Sequence, residues 1–235
     1  MFFLRKDLLK SCLLQRFTDY HSHLLFGVDD GISTLEESLA LLSDMESAGY
    51  SELWLTPHIM EDIPNTTEGL RQRFDNLCES YKGNICLHLA SEYMLDALFR
   101  KRFEKDDLLL LKDKYLLVET SYFNPPYNMD DMLEEIIRKG YWPVLAHPER
   151  YTYMDMEEYR KYKNMNILFQ LNIPSLAGVY GKMVQKKAEQ LLDKGFYNIC
   201  GFDTHSSTFF NNVIRKPFLT SSKVKQLENL INHEI

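Results

Sequence analysis

The sequence contains no C-x-x-C pair, no G-x-G-x-x-G, no P-loop and no long apolar run, and each absence removes a class of protein. Its four cysteines, Cys12, Cys78, Cys86 and Cys200, have no spacing suited to a redox pair or a zinc knuckle. None is followed six positions later by an arginine, so the phosphate-binding loop of thiolate phosphatases is missing. Each falls in an apolar-periodic segment, where a thiol is expected to pack as a small hydrophobe. No apolar run nears the roughly 18–20 residues that cross a bilayer, so stable membrane insertion is not expected. The opening Met-Phe-Phe-Leu is cut short by Arg5, Lys6 and Asp7, which does not read as a secretory signal; a cytoplasmic protein is expected. A formal net charge of −7 argues against general nucleic-acid binding, which needs a basic face. Without a glycine-rich phosphate loop, nucleotide binding has no support either.

What is present is ample material for a core: 45% apolar residues, with fourteen Phe and fourteen Tyr in 235 positions. No linker or low-complexity stretch divides the chain, so a single domain over 1–235 is expected, opened by a short amphipathic helix at about 6–16 with Leu8, Leu9, Cys12 and Leu13 on one face. Short apolar runs then alternate with helical periodicity. Strands are expected at Phe17–His21, Glu52–Thr56, Ile85–Ala90, Tyr115–Glu119, Pro143–Ala146, Ile167–Leu171 and Asn198–Phe202. Helices fall between them, one capped by Thr34 and stopped by Gly49, another capped by Thr66 or Thr67. Strands apolar on both faces and alternating with helices imply a parallel sheet under helical cover. The expected architecture is α/β, a distorted (β/α)7 barrel, with an open doubly wound sheet as the alternative.

Histidines and acids collect where these strands end. His21 and His23, at positions i and i+2, face the same side of the first strand. Asp29 and Asp30 follow in the loop. His58 follows the second strand and Glu92 the third; Glu119 ends the fourth and His147 follows the fifth. Asp203 and His205 follow the last. In a parallel barrel these ends form one rim, where active sites are assembled. Imidazole with carboxylate is the donor set of Zn, Mn or Fe. A lone histidine is usually a packed polar residue, and His88, inside a strand, is expected to be one; His233 near the C-terminus is expected to have no role. A shared rim of costly polar groups without basic partners nearby in sequence calls for compensation, and metal supplies it.

Asp19-Tyr-His-Ser-His23, Val28-Asp-Asp-Gly31, Thr56-Pro-His58, Ser91-Glu-Tyr93, Ala146-His-Pro-Glu-Arg-Tyr151 and Asp203-Thr-His205 together resemble the polymerase-and-histidinol-phosphatase (PHP) domain. More narrowly, they resemble its bacterial branch of tyrosine-protein phosphatases in capsule and exopolysaccharide synthesis, in order from about residue 18 to 206. The resemblance implies a trinuclear site loaded with manganese foremost, or with iron or zinc. It implies that His21, His23, Glu92 and Asp203 hold one ion. Glu92 bridges to a second ion with Glu119 and His147, and Asp30, His58 and His205 hold the third. Arg150 is implied to grip the substrate phosphate. The implied partner is a phosphotyrosine protein, such as the tail of a bacterial tyrosine kinase. Two positions depart from the family: bulky Phe202 stands where Ser or Thr is usual, and no arginine follows His205 before Arg215.

Such ions would outweigh the four carboxylates and, with Arg150, draw in an anionic substrate. Tyr122, Phe123 and Tyr127 follow the fourth strand, either as an aromatic clamp for a phosphotyrosine ring or as loop packing. The alternatives are a histidinol-phosphate or other small-molecule phosphatase, an amidohydrolase-like C–N hydrolase, and a silent metal-binding module. The bridging positions carry Glu92 and Glu119 where the C–N hydrolases commonly use a lysine.

Overall fold

The computed structural model describes residues 5–232, so the expectation for His233 lies outside the described residues. The chain opens with α1 (Leu8–Ser11) and β1 (Phe17–Ser22), followed by α2 (Leu35–Ala48), β2 (Tyr50–Leu55), β3 (His58–Ile59) and α3 (Thr67–Ser80). Then come β4 (Cys86–Leu89), β5 (Glu92–Met94), α4 (Ala97–Glu104), β6 (Tyr115–Glu119), α5 (Met129–Arg138) and β7 (Trp142–Ala146). A 3-10 turn (Pro148–Arg150), α6 (Met156–Asn164), β8 (Leu168–Asn172), α7 (Ile173–Leu176), α8 (Lys182–Asp193), β9 (Ile199–Gly201), α9 (Ser207–Ile214) and α10 (Ser221–Ile231) complete it.

Every strand pair is parallel. One sheet has the order β1-β2-β4 and the other β3-β5-β6-β7-β8-β9. Two strand positions are broken: Pro57 separates β2 from β3, and Ala90-Ser91 separates β4 from β5, so among the described residues nine strands occupy seven positions. The ring is closed where the Asp203 N–H donates to the His21 carbonyl (2.8 Å) and the His23 N–H to the Thr204 carbonyl (3.0 Å). This is the expected distorted seven-position barrel, with the distortion located: β4 pairs with β2, whereas β6 pairs with β5 instead. A small interior cluster fills the barrel, with Tyr20, Trp54, Leu117, Val144 and Ile199 contributed by β1, β2, β6, β7 and β9. The larger core lies between sheet and helices.

Local chemistry sets the helix limits. Thr34 accepts from the Glu37 N–H at 3.3 Å, and Gly49 closes α2 at φ 112°, a conformation that costs glycine little. Thr66 caps α3. In α5, Met129, Met132, Leu133 and Ile136 are buried at spacings of three and four, each side chain contributing roughly 1.5–3 kcal/mol on burial.

Three expectations are corrected. The opening helix spans only Leu8–Ser11, because Cys12 turns left-handed (φ 61°) and ends it. Cys12, Cys78 and Cys86 are exposed and only Cys200 is buried, so apolar periodicity overstated the packing of the first three. His88 is half-buried, stacked on Trp54 (centroids 4.5 Å apart) and 3.1 Å from Glu52 Oε1.

Candidate metal centre

The rim gathers all nine expected metal-type residues. His21 and His23 leave β1 on the same face, while Ser22 between them turns away to bond the Trp54 carbonyl (2.9 Å). The breaks after β2 and β4 put His58 and Glu92 at the first positions of new strands, directly paired in register. Glu119 is the last residue of β6. His147 and Asp203 both adopt left-handed backbone, at φ 35° and 51°. For non-glycine residues that conformation costs about 1–3 kcal/mol, and such strain concentrates at functional sites.

The donors fall into overlapping groups. His21, His23, Glu92 and Asp203 form one, entirely buried. Within it, His21 Nε2 lies 3.1 Å from Glu92 Oε2 and 3.5 Å from Asp203 Oδ1, and His23 Nε2 lies 3.4 and 3.3 Å from the same two oxygens. His58, Glu92 and Glu119 form a second, with His58 Nδ1 3.2 Å from each carboxylate. His147 Nε2 joins it at 2.9 Å from Glu92 Oε1 and 3.9 Å from Glu119 Oε2. His23, Asp30, His58 and His205 form the third, with Asp30 Oδ1 3.6 Å from His58 Nε2 and 3.4 Å from His205 Nε2. His58 thus stands between two groups. Asp30 remains largely exposed at the mouth.

The donor set suits divalent first-row ions: imidazole nitrogens and carboxylate oxygens converge without thiolate. His58 Nδ1 and Glu119 Oε1 are buried without a hydrogen-bond partner, as metal-binding atoms awaiting an ion would be. The electrostatics agree. Burial pushes the Glu92 carboxyl up, but His21 foremost, with His147 and His23, holds it well below the usual range. Burial pulls the His21 imidazole down, yet Glu92 and Asp203 raise it to about 9. His205 holds the Asp30 carboxyl down at about 2.

Around these donors lies a supporting set, of which the sequence reading missed Gln170, Asn172 and Tyr180. Gln170 Oε1 is 3.1 Å from His21 Nδ1 and accepts the His147 backbone N–H, also at 3.1 Å. Asp29 faces His23 Nδ1 at 2.8 Å and accepts from the His58 N–H, so of the two adjacent acids it orients histidines while Asp30 joins the cluster. With Nδ1 engaged, His21 and His23 each keep Nε2 for an ion. Asp203 Oδ2 accepts from Asn172 Nδ2 (3.1 Å) and Arg150 Nη1 (2.7 Å), leaving Oδ1 toward the histidines. The Arg150 guanidinium is stacked between Tyr122 and Tyr180, 4.3 and 4.4 Å from their ring centroids. Nothing about Gln170, Asn172 or Tyr180 marked them in the sequence: the first two sit in an otherwise apolar strand.

The two departures have structural answers. Phe202 turns away from the rim and packs edge-on against Phe17 (6.4 Å) and Tyr50 (6.3 Å), so it leaves the donors clear. Ser206 caps α9, and Arg215 lies at the opposite end of that helix. Of the aromatic trio, Tyr122 faces the cluster, whereas Phe123 and Tyr127 are exposed.

Fold and donor set define a PHP-type parallel barrel whose C-terminal rim is able to hold metal. Residues 17–229 match the family described as capsular polysaccharide synthesis, CpsB/CapC, and the chain belongs to that family. It is 29% identical over 208 residues to the tyrosine-protein phosphatase CpsB of Streptococcus pneumoniae, covering 80% of this chain and 82% of that one. It is 27% identical over 231 residues to the tyrosine-protein phosphatase YwqE of Bacillus subtilis, covering 92% and 86%. Among solved structures, that of YwqE and CpsB, described as metal-dependent tyrosine phosphatases, superposes with a TM-score of 0.74 at 21% identity, over 92% of this chain and 96% of that one. The phosphotriesterase homology protein of Escherichia coli, with phosphate in its active site, shares the fold at a TM-score of 0.56 and 10% identity, over 92% of each chain. Among the described residues no helix is long and apolar enough to cross a membrane.

Proposed function

We propose that this chain is a metal-dependent tyrosine-protein phosphatase serving capsular or exopolysaccharide synthesis, with manganese as its metal and a phosphorylated tyrosine-kinase tail as its substrate. The observation that carries the reading is Glu92. It is fully buried, its two oxygens are enclosed by His21, His23, His58 and His147, and no lysine or arginine bonds it among the described residues. A carboxylate so placed is a bridging ligand in need of cations.

His21, His23 and Asp203 would share one ion with Glu92. Glu92, Glu119 and His147 would hold a second. Asp30, His58 and His205 would hold a third at the mouth. Divalent ions there supply Lewis acidity toward phosphate oxygens and a water of lowered pKa. Arg150, committed to Asp203 through Nη1, would offer its remaining donors to a phosphate oxygen, and Tyr122 and Tyr180 keep its plane fixed while it does so. Phenol, with a pKa of about 10, leaves with less protonation than an alkoxide.

The test is hydrolysis of a phosphotyrosyl peptide and of histidinol phosphate by manganese-reconstituted protein, beside a His147→Ala control. Metal-dependent turnover that favours the peptide and is lost in the control supports the proposal. Preference for histidinol phosphate overturns the substrate.

A further inference from the structure

Outward from the metal-type cluster runs a cavity of about 330 Å³, within the ~300–1,000 Å³ typical of ligand sites. Its inner end is His58 and Glu119; its walls are Met60, Met94, Tyr122 and Phe123. The register explains the change from charge to grease. His58 pairs with Glu92 and Met94 with Glu119 on adjacent short strands. Met60 follows His58 by two positions, and Met94 follows Glu92 by two, so each thioether lies on the same face as the cluster residue before it. Met60 is fixed in a closed turn by reciprocal backbone bonds with Ile63, both 3.1 Å. Tyr122 divides the space: Arg150 stacks on its ring, and the cavity lies along it.

We infer that this cavity seats the phenyl ring of the substrate, so that a phosphoryl group among the donors carries its aryl group outward between Met60 and Met94. The inference rests on the phosphatase reading and specifies how that site selects aryl over alkyl esters. Thioethers favour aromatic edges, and Met adapts to a ring whose peptide context varies. A short alkyl phosphate would leave both methionines and Phe123 uncontacted. The depression of similar size between Pro125–Asp131 and Lys161–Tyr162 contains no residue of the cluster and has no such continuity.

The experiment is calorimetry on manganese-loaded protein with two non-hydrolysable probes, phenylphosphonate and methylphosphonate. The expected result is that the phenyl compound binds about tenfold more tightly. In Met60→Ala/Met94→Ala that preference falls to about twofold, with the affinity for methylphosphonate retained. Met60→Ala alone, at a partly exposed turn, provides the same comparison should the double variant unfold. Equal affinity of the two probes in the unaltered protein overturns the inference, as does a preference that survives the substitutions. In either case continued hydrolysis of phenyl phosphate leaves the phosphatase reading standing. Failure to bind either probe, together with failure to hydrolyse phenyl phosphate, overturns both.

Discussion

Arg150 Nη1 donates to Asp203 Oδ2 across 2.7 Å, while Oδ1 of the same carboxylate faces His21 and His23 at 3.5 and 3.3 Å. One side chain therefore links the expected phosphate grip to the expected metal site. Arg150→Lys would keep the charge but lose the planar group that two tyrosines sandwich. The variant is expected to bind metal normally and to lose about 100-fold in kcat/KM for phenyl phosphate, the scale of one removed transition-state donor. Steady-state kinetics beside metal analysis checks this; undiminished kcat/KM would remove Arg150 from the site.

Ions that bind only the folded protein stabilise it by mass action, about 2.7 kcal/mol at a hundredfold excess over Kd. For a chain of this size that corresponds to a rise in Tm on the order of 5–10 °C. Chelation should reverse the rise, and Glu92→Gln, which weakens the two groups that share this residue, should reduce it substantially. Thermal scans with and without chelator decide; an equal shift in the variant would place the ions elsewhere.

Gln170 is expected to act on metal without touching it. Its oxygen lies against His21 Nδ1 and accepts the His147 N–H. Gln170→Ala should weaken manganese affinity by roughly 10–100-fold, the usual effect of removing a group that orients a metal-binding histidine. Titration calorimetry measures it, and a Tm taken in chelator separates this loss from general unfolding.

Burial lowers the Lys163 ammonium to about 8 from 10.5, while its Nζ donates to Asn198 Oδ1 at 2.7 Å. The unfolded chain then holds more protons than the folded one between about pH 8 and 10.5, so this residue's destabilising contribution, complete below 8, fades as pH rises through that window. Part of the side chain meets solvent, which keeps the effect small. Relative to Lys163→Met, the unaltered protein should gain in Tm between pH 7.5 and 9.5 (roughly the lower part of that window). A constant difference across that range would contradict the shift.

Much of this was visible in the residues. Apolar runs marked the seven strand positions, since a strand covered on both faces has little choice of composition. The two-residue spacing of His21 and His23 announced a shared face. What stayed hidden depends on contacts across the barrel. The end of the second strand near Thr56 was legible, but not the restart of pairing as β3 at His58. The division of roles between Asp29 and Asp30 turns on a distance to His23 that spacing does not encode. Gln170 and Tyr180 carry no sequence signal because their partners lie 149 and 30 positions away, at His21 and Arg150. The left-handed backbone at His147 and Asp203, uncommon for non-glycine residues, has no signal in the spacing of the motifs.

Gly31 sits against the back of His23. A Cβ there would overlap the His23 carbonyl oxygen and come within 2.6 Å of its Cβ. Gly201 stands likewise behind His21, where a Cβ would meet the His21 Cβ at 2.6 Å. Both histidines are thus propped by hydrogen atoms where any other residue would bring carbon. Inheritance of this site therefore depends on two positions that supply no chemistry. In a lineage or a mutational screen, alanine at either would leave every donor spelled out in the gene while moving the imidazoles off their mark. Such an allele would look intact in a list of ligands and fail as a protein.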